Sequence, residues 1–188
     1  MMKNILLMLH LICCISSVMA EKPAKDKQDQ QPPLPFPKEF DSTKYLGKWY
    51  EAARLPTPAQ PAKTLATAEY SAGEKEGEVI VVNTAYSTEG KQLATIKGEA
   101  QLQPGNPPRL IVSFGPVAPK EPNYYVIHVD EKYQYAVVGR PNRKSLFILA
   151  RTVPVSENQI AELVEIAKKA GFPTDKLIFD EWPDKTEE

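Results

Sequence analysis

The sequence predicts an all-β fold: an eight-stranded antiparallel up-and-down β-barrel with one flanking C-terminal α-helix and a short ninth strand. Three observations carry that expectation. From Leu46 onward, apolar and aromatic runs recur at near-regular spacing, as they do in sandwiches and barrels built from many short strands. The links between the runs are short and rich in turn residues, so successive strands are antiparallel neighbours, which favours a barrel over a sandwich. Near the C-terminus a single stretch switches to helical periodicity.

The strands are expected near 47–55, 65–71, 78–86, 92–102, 109–114, 123–129, 133–139 and 145–152. Turn-forming segments separate them, among them Gly73 to Gly77, Thr88-Glu89-Gly90, Pro104 to Pro108, Gly115 to Pro122 and Gly139 to Lys144. The helix begins at Ser156, which with Gln159 forms a capping box. Ile160, Leu163, Val164 and Ala167 then recur on one face, and Gly171 and Pro173 end it. One apolar stripe must cover the outside of the barrel. A last strand over 177–181 is expected beside the first.

The chain divides into an export signal over 1–20, a Pro/Gln/Lys-rich linker over 21–37, a barrel domain over 38–183 and a tail over 184–188. Lys3, the apolar run Ile5 to Val18 and the small-residue end at Ala20 describe a signal cleaved after Ala20. That run is too short and wrongly flanked to span a membrane. Both cysteines, Cys13 and Cys14, fall inside it, and neither follows the small residue that a lipoprotein acceptor cysteine requires. The mature chain is therefore expected to be periplasmic or secreted, without a lipid anchor. Prolines in the linker forbid a ladder and favour an extended, solvated, disordered tether.

Once the signal leaves, His128 is the one remaining histidine and no thiol remains. Zinc, haem-thiolate and Cys/His catalysis are thereby set aside, and neither metal nor cofactor is expected. The net charge of −1 gives no basic excess for nucleic acid.

In an up-and-down barrel of eight strands, the start of the first and the end of the last meet at one rim. Gly47-Lys48-Trp49-Tyr50-Glu51 then lies beside Ile148-Leu149-Ala150-Arg151, so that Trp49 can plug the rim with the Arg151 guanidinium on its face, a contact of about 2 kcal/mol when desolvated. Gly47-x-Trp49 with a distant arginine resembles the signature of the lipocalin family. Asn123 to Asp130 followed by Tyr135 to Val138 resembles that family's middle motif, with Val129 where many members have threonine. Phe40-Asp41, Val112 to Pro116 and Leu149 to Thr152 are similar to its bacterial lipocalin and apolipoprotein D branch. The resemblance implies binding, transport or storage of fatty acids, lysophospholipids or similar lipids, linked to the cell envelope or stress. It implies no enzyme.

Strand residues alternate between faces. With Arg151 pointing inward, Leu149, Phe147 and Ser145 follow it, while Leu146, Ile148 and Ala150 face outward under the helix. Alternation and the resemblance together place Ala66, Ala68, Tyr70, Val81, Asn83, Leu110, Val112, Phe114, Tyr124, Val126, Ala136, Val138 and Phe147 on the ligand. Val79 shares their parity, and so does His128 near the closed end. The competing expectation is a packed interior, since eight strands leave room either for side chains or for one small ligand; three inward alanines argue for space. Loops at the open end carry Arg140, Arg143 and Lys144, a candidate site for an anionic head group. Contact with a membrane surface is a further expected partnership. An enzyme on the barrel would need a paired acid and base, and Glu51 is the single inward carboxylate. A third reading is an envelope interaction protein using the barrel's exterior and its tether.

Overall fold

The computed structural model describes residues 31–183. The expected export signal over 1–20, the expected linker as far as residue 30, and the tail at 184–188 lie outside the described residues.

Eight strands close a ring. They are β1 (Gly47–Arg54), β2 (Leu65–Ala72), β3 (Glu78–Tyr86), β4 (Gln92–Gln103), β5 (Arg109–Ser113), β6 (Tyr124–Val129), β7 (Tyr135–Gly139) and β8 (Leu146–Ala150). Each pairs antiparallel with the next, and β8 returns to β1. The first four residues of β1 pair with β2, from Gly47 opposite Tyr70 to Tyr50 opposite Thr67. Beyond that point the two strands part, and a ninth strand, β9 (Ile178–Phe179), pairs with Ala53 and Arg54 instead. It is shorter than the expected 177–181, but its place beside the first strand is as expected.

A helix of four residues, α1 (Ser42–Tyr45), precedes the barrel, a feature too short for periodicity to reveal. Asp41 caps it, accepting from the Thr43 amide at 2.9 Å. The long helix α2 (Glu157–Lys169) starts at Ser156, whose hydroxyl accepts from the Gln159 amide. It ends at Gly171, whose φ of +85° is the left-handed conformation glycine tolerates.

Two apolar cores follow from the alternation of faces. Inside the ring, Trp49, Tyr70, Val81, Leu110, Val126, Ala136, Val138 and Leu149 are buried together. Outside it, Ile127, Val137, Leu146 and Ile148 are buried under Leu163 and Ala167 of α2. Burying one such aliphatic side chain is worth about 1.5–3 kcal/mol, so both cores hold the ring closed. Leu34 joins the outer core. The expectation of a solvated tether over 21–37 does not hold at Leu34, which apolar contact pins to the barrel.

Register shifts break the strict alternation at three places, one of them at Ala85/Tyr86 in the β3–β4 pairing, and the other two decide where nearby side chains point. One lies between Glu51 and Ala53 in the β1–β8 pairing, the other between Val126 and His128 in the β6–β7 pairing. An extra residue at a bulge reverses the parity of everything beyond it. His128 consequently stands opposite Val137 of the outer core. The inward orientation expected for it is wrong; it lies outside, where burial lowers its pKa against the opposing charges of Asp130 and Glu162.

Candidate functional site

One end of the barrel is closed by Trp49 and Arg151. Trp49 is fully buried, and its indole nitrogen donates to the Tyr45 carbonyl at 2.8 Å. The Arg151 guanidinium lies 3.8 Å from the centroid of its ring. The same guanidinium donates to the carbonyls of Lys44, Leu46, Lys48 and Tyr133 at 2.8–3.2 Å. It thus ties α1, β1 and the β6–β7 turn together, with no carboxylate partner among the described residues. Gly47, with φ at +93°, lets the chain turn into β1 beneath it; a Cβ there would come within 3.3 Å of an Arg151 nitrogen.

Above this plug stand three tyrosines. The Tyr45 hydroxyl lies 2.7 Å from that of Tyr124, and the Tyr70 hydroxyl 3.1 Å from it. Burial comes first among the causes that push their pKa values up, for Tyr70 to about 12, and for Tyr45 and Tyr124 further above the ordinary phenol range. All three stay neutral. They border an apolar pocket of about 20 Å³ together with Phe40, Ser42, Leu46, Val79, Leu102, Leu110 and Val112. Tyr70, Leu110, Val112 and Tyr124 were legible as inward-facing. Phe40, Ser42, Tyr45 and Leu46 were not, because they belong to α1 and its flanks rather than to a strand.

The inward-facing strand positions differ in burial. Ala66, Ala68, Asn83, Val112, Tyr124 and Phe147 keep part of their surface accessible, whereas Tyr70, Val81, Leu110, Val126, Ala136 and Val138 are buried. Ala136 and Val138 have no exposure at all, so they are core at this height rather than open wall. Phe114 falls just beyond the end of β5 and is 40% exposed. It is a mouth residue seated over Gly98, where a Cβ would come within 2.6 Å of its ring. Expected as barrel wall, Phe114 stands instead at the rim.

A buried polar cluster lies on the same side as the β1–β2 loop. The bulge turns both Glu51 and Arg54 inward, with Arg54 Nε 3.3 Å from Glu51 Oε1. Gln60 donates to Glu51 at 2.7 Å, and Arg54 donates to the Pro61 carbonyl at 2.7 Å. Asp180, just after β9, stands against Glu51 and the Ala66 amide. Burial, then the Asp180 charge, pushes the Glu51 carboxyl well above its ordinary range, against the pull of Arg54 and Gln60. Burial likewise raises Asp180 to about 6. Sequence reading found Glu51 and missed Arg54 and Asp180, because uninterrupted alternation from Trp49 would send Arg54 outward.

The basic rim divides. Arg140 and Lys144 are exposed, the former donating to the Asn123 carbonyl at 3.1 Å. Arg143 does not belong with them: it is buried and donates to the carbonyls of Ala170, Pro141 and Pro32. Its place in a head-group site is a misassignment. With φ at 56°, it lies against the end of α2 and Pro32, where each of its three nitrogens donates to a backbone carbonyl.

A ring of eight antiparallel strands, closed at one end by a tryptophan–arginine plug and flanked by one helix, has the architecture of the small-ligand barrels. A family model described as "Lipocalin-like domain" matches residues 40–181. The chain belongs to the lipocalin family. It is 35% identical over 143 residues to "Outer membrane lipoprotein Blc" of Vibrio cholerae, covering 75% of this chain and 82% of that protein. It is 35% identical over 153 residues to "Apolipoprotein D" of Mus musculus, covering 78% and 79%. Insecticyanin from the tobacco hornworm Manduca sexta shares the fold, with a TM-score of 0.59 at 18% identity over 82% of this chain and 87% of that one. Lipocalins bind small hydrophobic ligands.

Proposed function

We propose that this barrel binds, and transports or stores, a long-chain lipid such as a fatty acid or lysophospholipid in the cell envelope. The observation that carries the reading is the apolar interior of a closed ring in a chain of the lipocalin family. Val81, Leu110, Val126, Val138 and Leu149 are buried together inside the ring, and Ala66, Ala68 and Phe147 keep part of their surface accessible among them. An alkyl chain entering from the open end would trade water for apolar wall at about 25 cal/mol per Å². A polar head would remain near Arg140 and Lys144, and the same rim would meet the membrane surface from which the lipid comes. Similarity to outer membrane lipoproteins supports the envelope setting.

Native mass spectrometry of the purified protein tests it. A carrier retains a lipid of defined mass that denaturation releases. A bare polypeptide mass, together with failure to displace a fluorescent fatty acid, would overturn the reading.

A further inference from the structure

Exposed apolar side chains gather at one corner of the barrel, at the end of the ring opposite the Trp49 plug. Strand direction sets that end: β1 leaves the plug at Gly47, and alternating strands bring the links at 55–64, 87–91, 114–123 and 140–145 to the far side. Six large hydrophobic residues are exposed among the described residues. Four of them, Leu93, Ile96, Phe114 and Val117, lie at the top of β4 and the start of the β5–β6 link. Single exposed apolar side chains are ordinary surface, but a contiguous group marks a contact. Contiguity here is geometric. Phe114 lies over Gly98, two residues from Ile96 on the same face of β4. The Ser113 hydroxyl donates to the carbonyls of Gly115 and Val117 at 2.9 and 3.5 Å, folding the link back on β5.

The inner wall of the barrel comes to the surface at the same corner. Ala100 is buried in the interior core. No register shift against β3 intervenes between Gln101 and Ala94, so Gly98, Ile96 and Ala94 share the inward face of Ala100. Gly98 is buried, whereas Ile96 is 49% exposed and Ala94 is exposed too. The reason lies in the pairing. β5 runs beside β4 only from Glu99, opposite Ser113, toward the plug, and beside β6 only at Arg109 and Leu110. Above Glu99, β4 has β3 on one side and, among the described residues, no strand on the other.

Charge at this end favours a bilayer over a protein as the occupant. The links expose Lys63, Lys91, Lys120, Arg140 and Lys144 against Glu89 and Glu121, while Lys97 and Glu99 on the outer face of β4 cancel. A net positive rim is attracted to anionic head groups, and lysine stems hold their charge at head-group level while neighbouring apolar side chains sink deeper. Resting on the carrier reading above, we propose that this corner docks on a lipid bilayer bearing anionic head groups, with Leu93, Ile96, Phe114 and Val117 among the acyl chains. Docked so, the exposed inner face of β4 opens onto the bilayer, and an alkyl chain passes from membrane to barrel interior without crossing water.

Flotation of the full mature chain with phosphatidylcholine vesicles, with and without phosphatidylglycerol, tests it. Binding is expected to be tighter with phosphatidylglycerol and to weaken as salt is raised. Leu93→Ser/Val117→Ser should lower it about tenfold or more, whereas Phe179→Ser, which removes an exposed ring on β9 at the opposite side of the barrel, should leave it unchanged. Val117→Trp reports depth: lipids brominated along their chains should quench its fluorescence beyond that of the parent's own tryptophans. No flotation, equal flotation with both vesicles, undiminished flotation of the double variant, or no added quenching would each overturn the proposal. So would self-association in sedimentation velocity that the double variant abolishes while vesicles are ignored, since the corner would then be a protein contact. The assay needs no bound ligand. Flotation as expected, with no lipid retained in native mass spectrometry, would sink the carrier reading and support the docking surface; a retained lipid without flotation would do the reverse.

Discussion

Arg54 and Glu51 meet at 3.3 Å inside the barrel, although three residues along a regular strand would place them on opposite faces. The bulge between Glu51 and Ala53 makes the meeting possible by turning Ala52 and Ala53 together toward the outer core. Arg54 has no exposure, and Asp180 brings a second carboxyl to the pair.

That arrangement makes stability depend on pH. Burial raises Glu51, and raises Asp180 to about 6, while both carboxyls titrate near 4 in an unfolded chain. Between those values the native state holds more protons than the unfolded state. Stability therefore falls as pH rises from about 4 through 6, and the loss is complete above the folded pKa values. Glu51→Gln with Asp180→Asn should flatten this stretch of the profile, by on the order of 1–2 kcal/mol after solvent screening. Urea midpoints at pH 4.5, 6 and 7.5 read it; an unchanged slope in the double variant would refute the assignment.

Trp49→Ala should cost about 3–5 kcal/mol, since it empties the plug, removes the donor to Tyr45 and bares the Arg151 face. Arg151→Lys tests the plug differently. One ammonium cannot reach the four carbonyls that the guanidinium serves, so a loss of about 1–3 kcal/mol is expected despite the retained charge. Thermal melts that match the parent in both variants would show that this end of the barrel carries no stability.

Two alanines expected to line open space should now behave differently. Ala68 keeps accessible surface, so Ala68→Trp should fold and weaken lipid binding at least tenfold. Ala136 has none, so Ala136→Trp overpacks a filled core and should cost about 1–3 kcal/mol or more. Circular dichroism melts beside fluorescent-lipid titrations separate the outcomes; blocked binding in neither folded variant would move the ligand elsewhere.

The basic rim is tested through Arg140 and Lys144 alone. Exposed charges are screened as the Debye length falls from about 10 Å at 0.1 M salt to about 3 Å at 1 M. Affinity for a fatty acid should therefore drop with salt, and Arg140→Glu/Lys144→Glu should abolish the dependence. Arg143→Ala should instead lower the melting temperature, by orphaning the Ala170 and Pro32 carbonyls, while the folded fraction binds lipid normally. Should Arg143→Ala remove the salt effect with its stability intact, the residue belongs to the mouth after all.

What the sequence determined by itself was the set of elements and the pairing rule. Alternating apolar runs, short turn-rich links and one capped amphipathic stretch are local signals, and they were enough for eight strands, a ring and a covering helix. They also placed Trp49 and Arg151 together, because the closure of an even-numbered barrel brings its first and last strands to one rim. Tertiary structure decided which face a residue takes beyond a bulge, for counting by twos carries no record of where an extra residue enters. Arg54 came inside and His128 went outside for that reason alone. It also decided the fate of side chains whose partners lie far along the chain: Arg143 was claimed by Pro32 and Ala170, Leu34 by the outer core, and Glu51 by Asp180. Such contacts follow from ring closure and helix docking, so no window along the chain contains both partners.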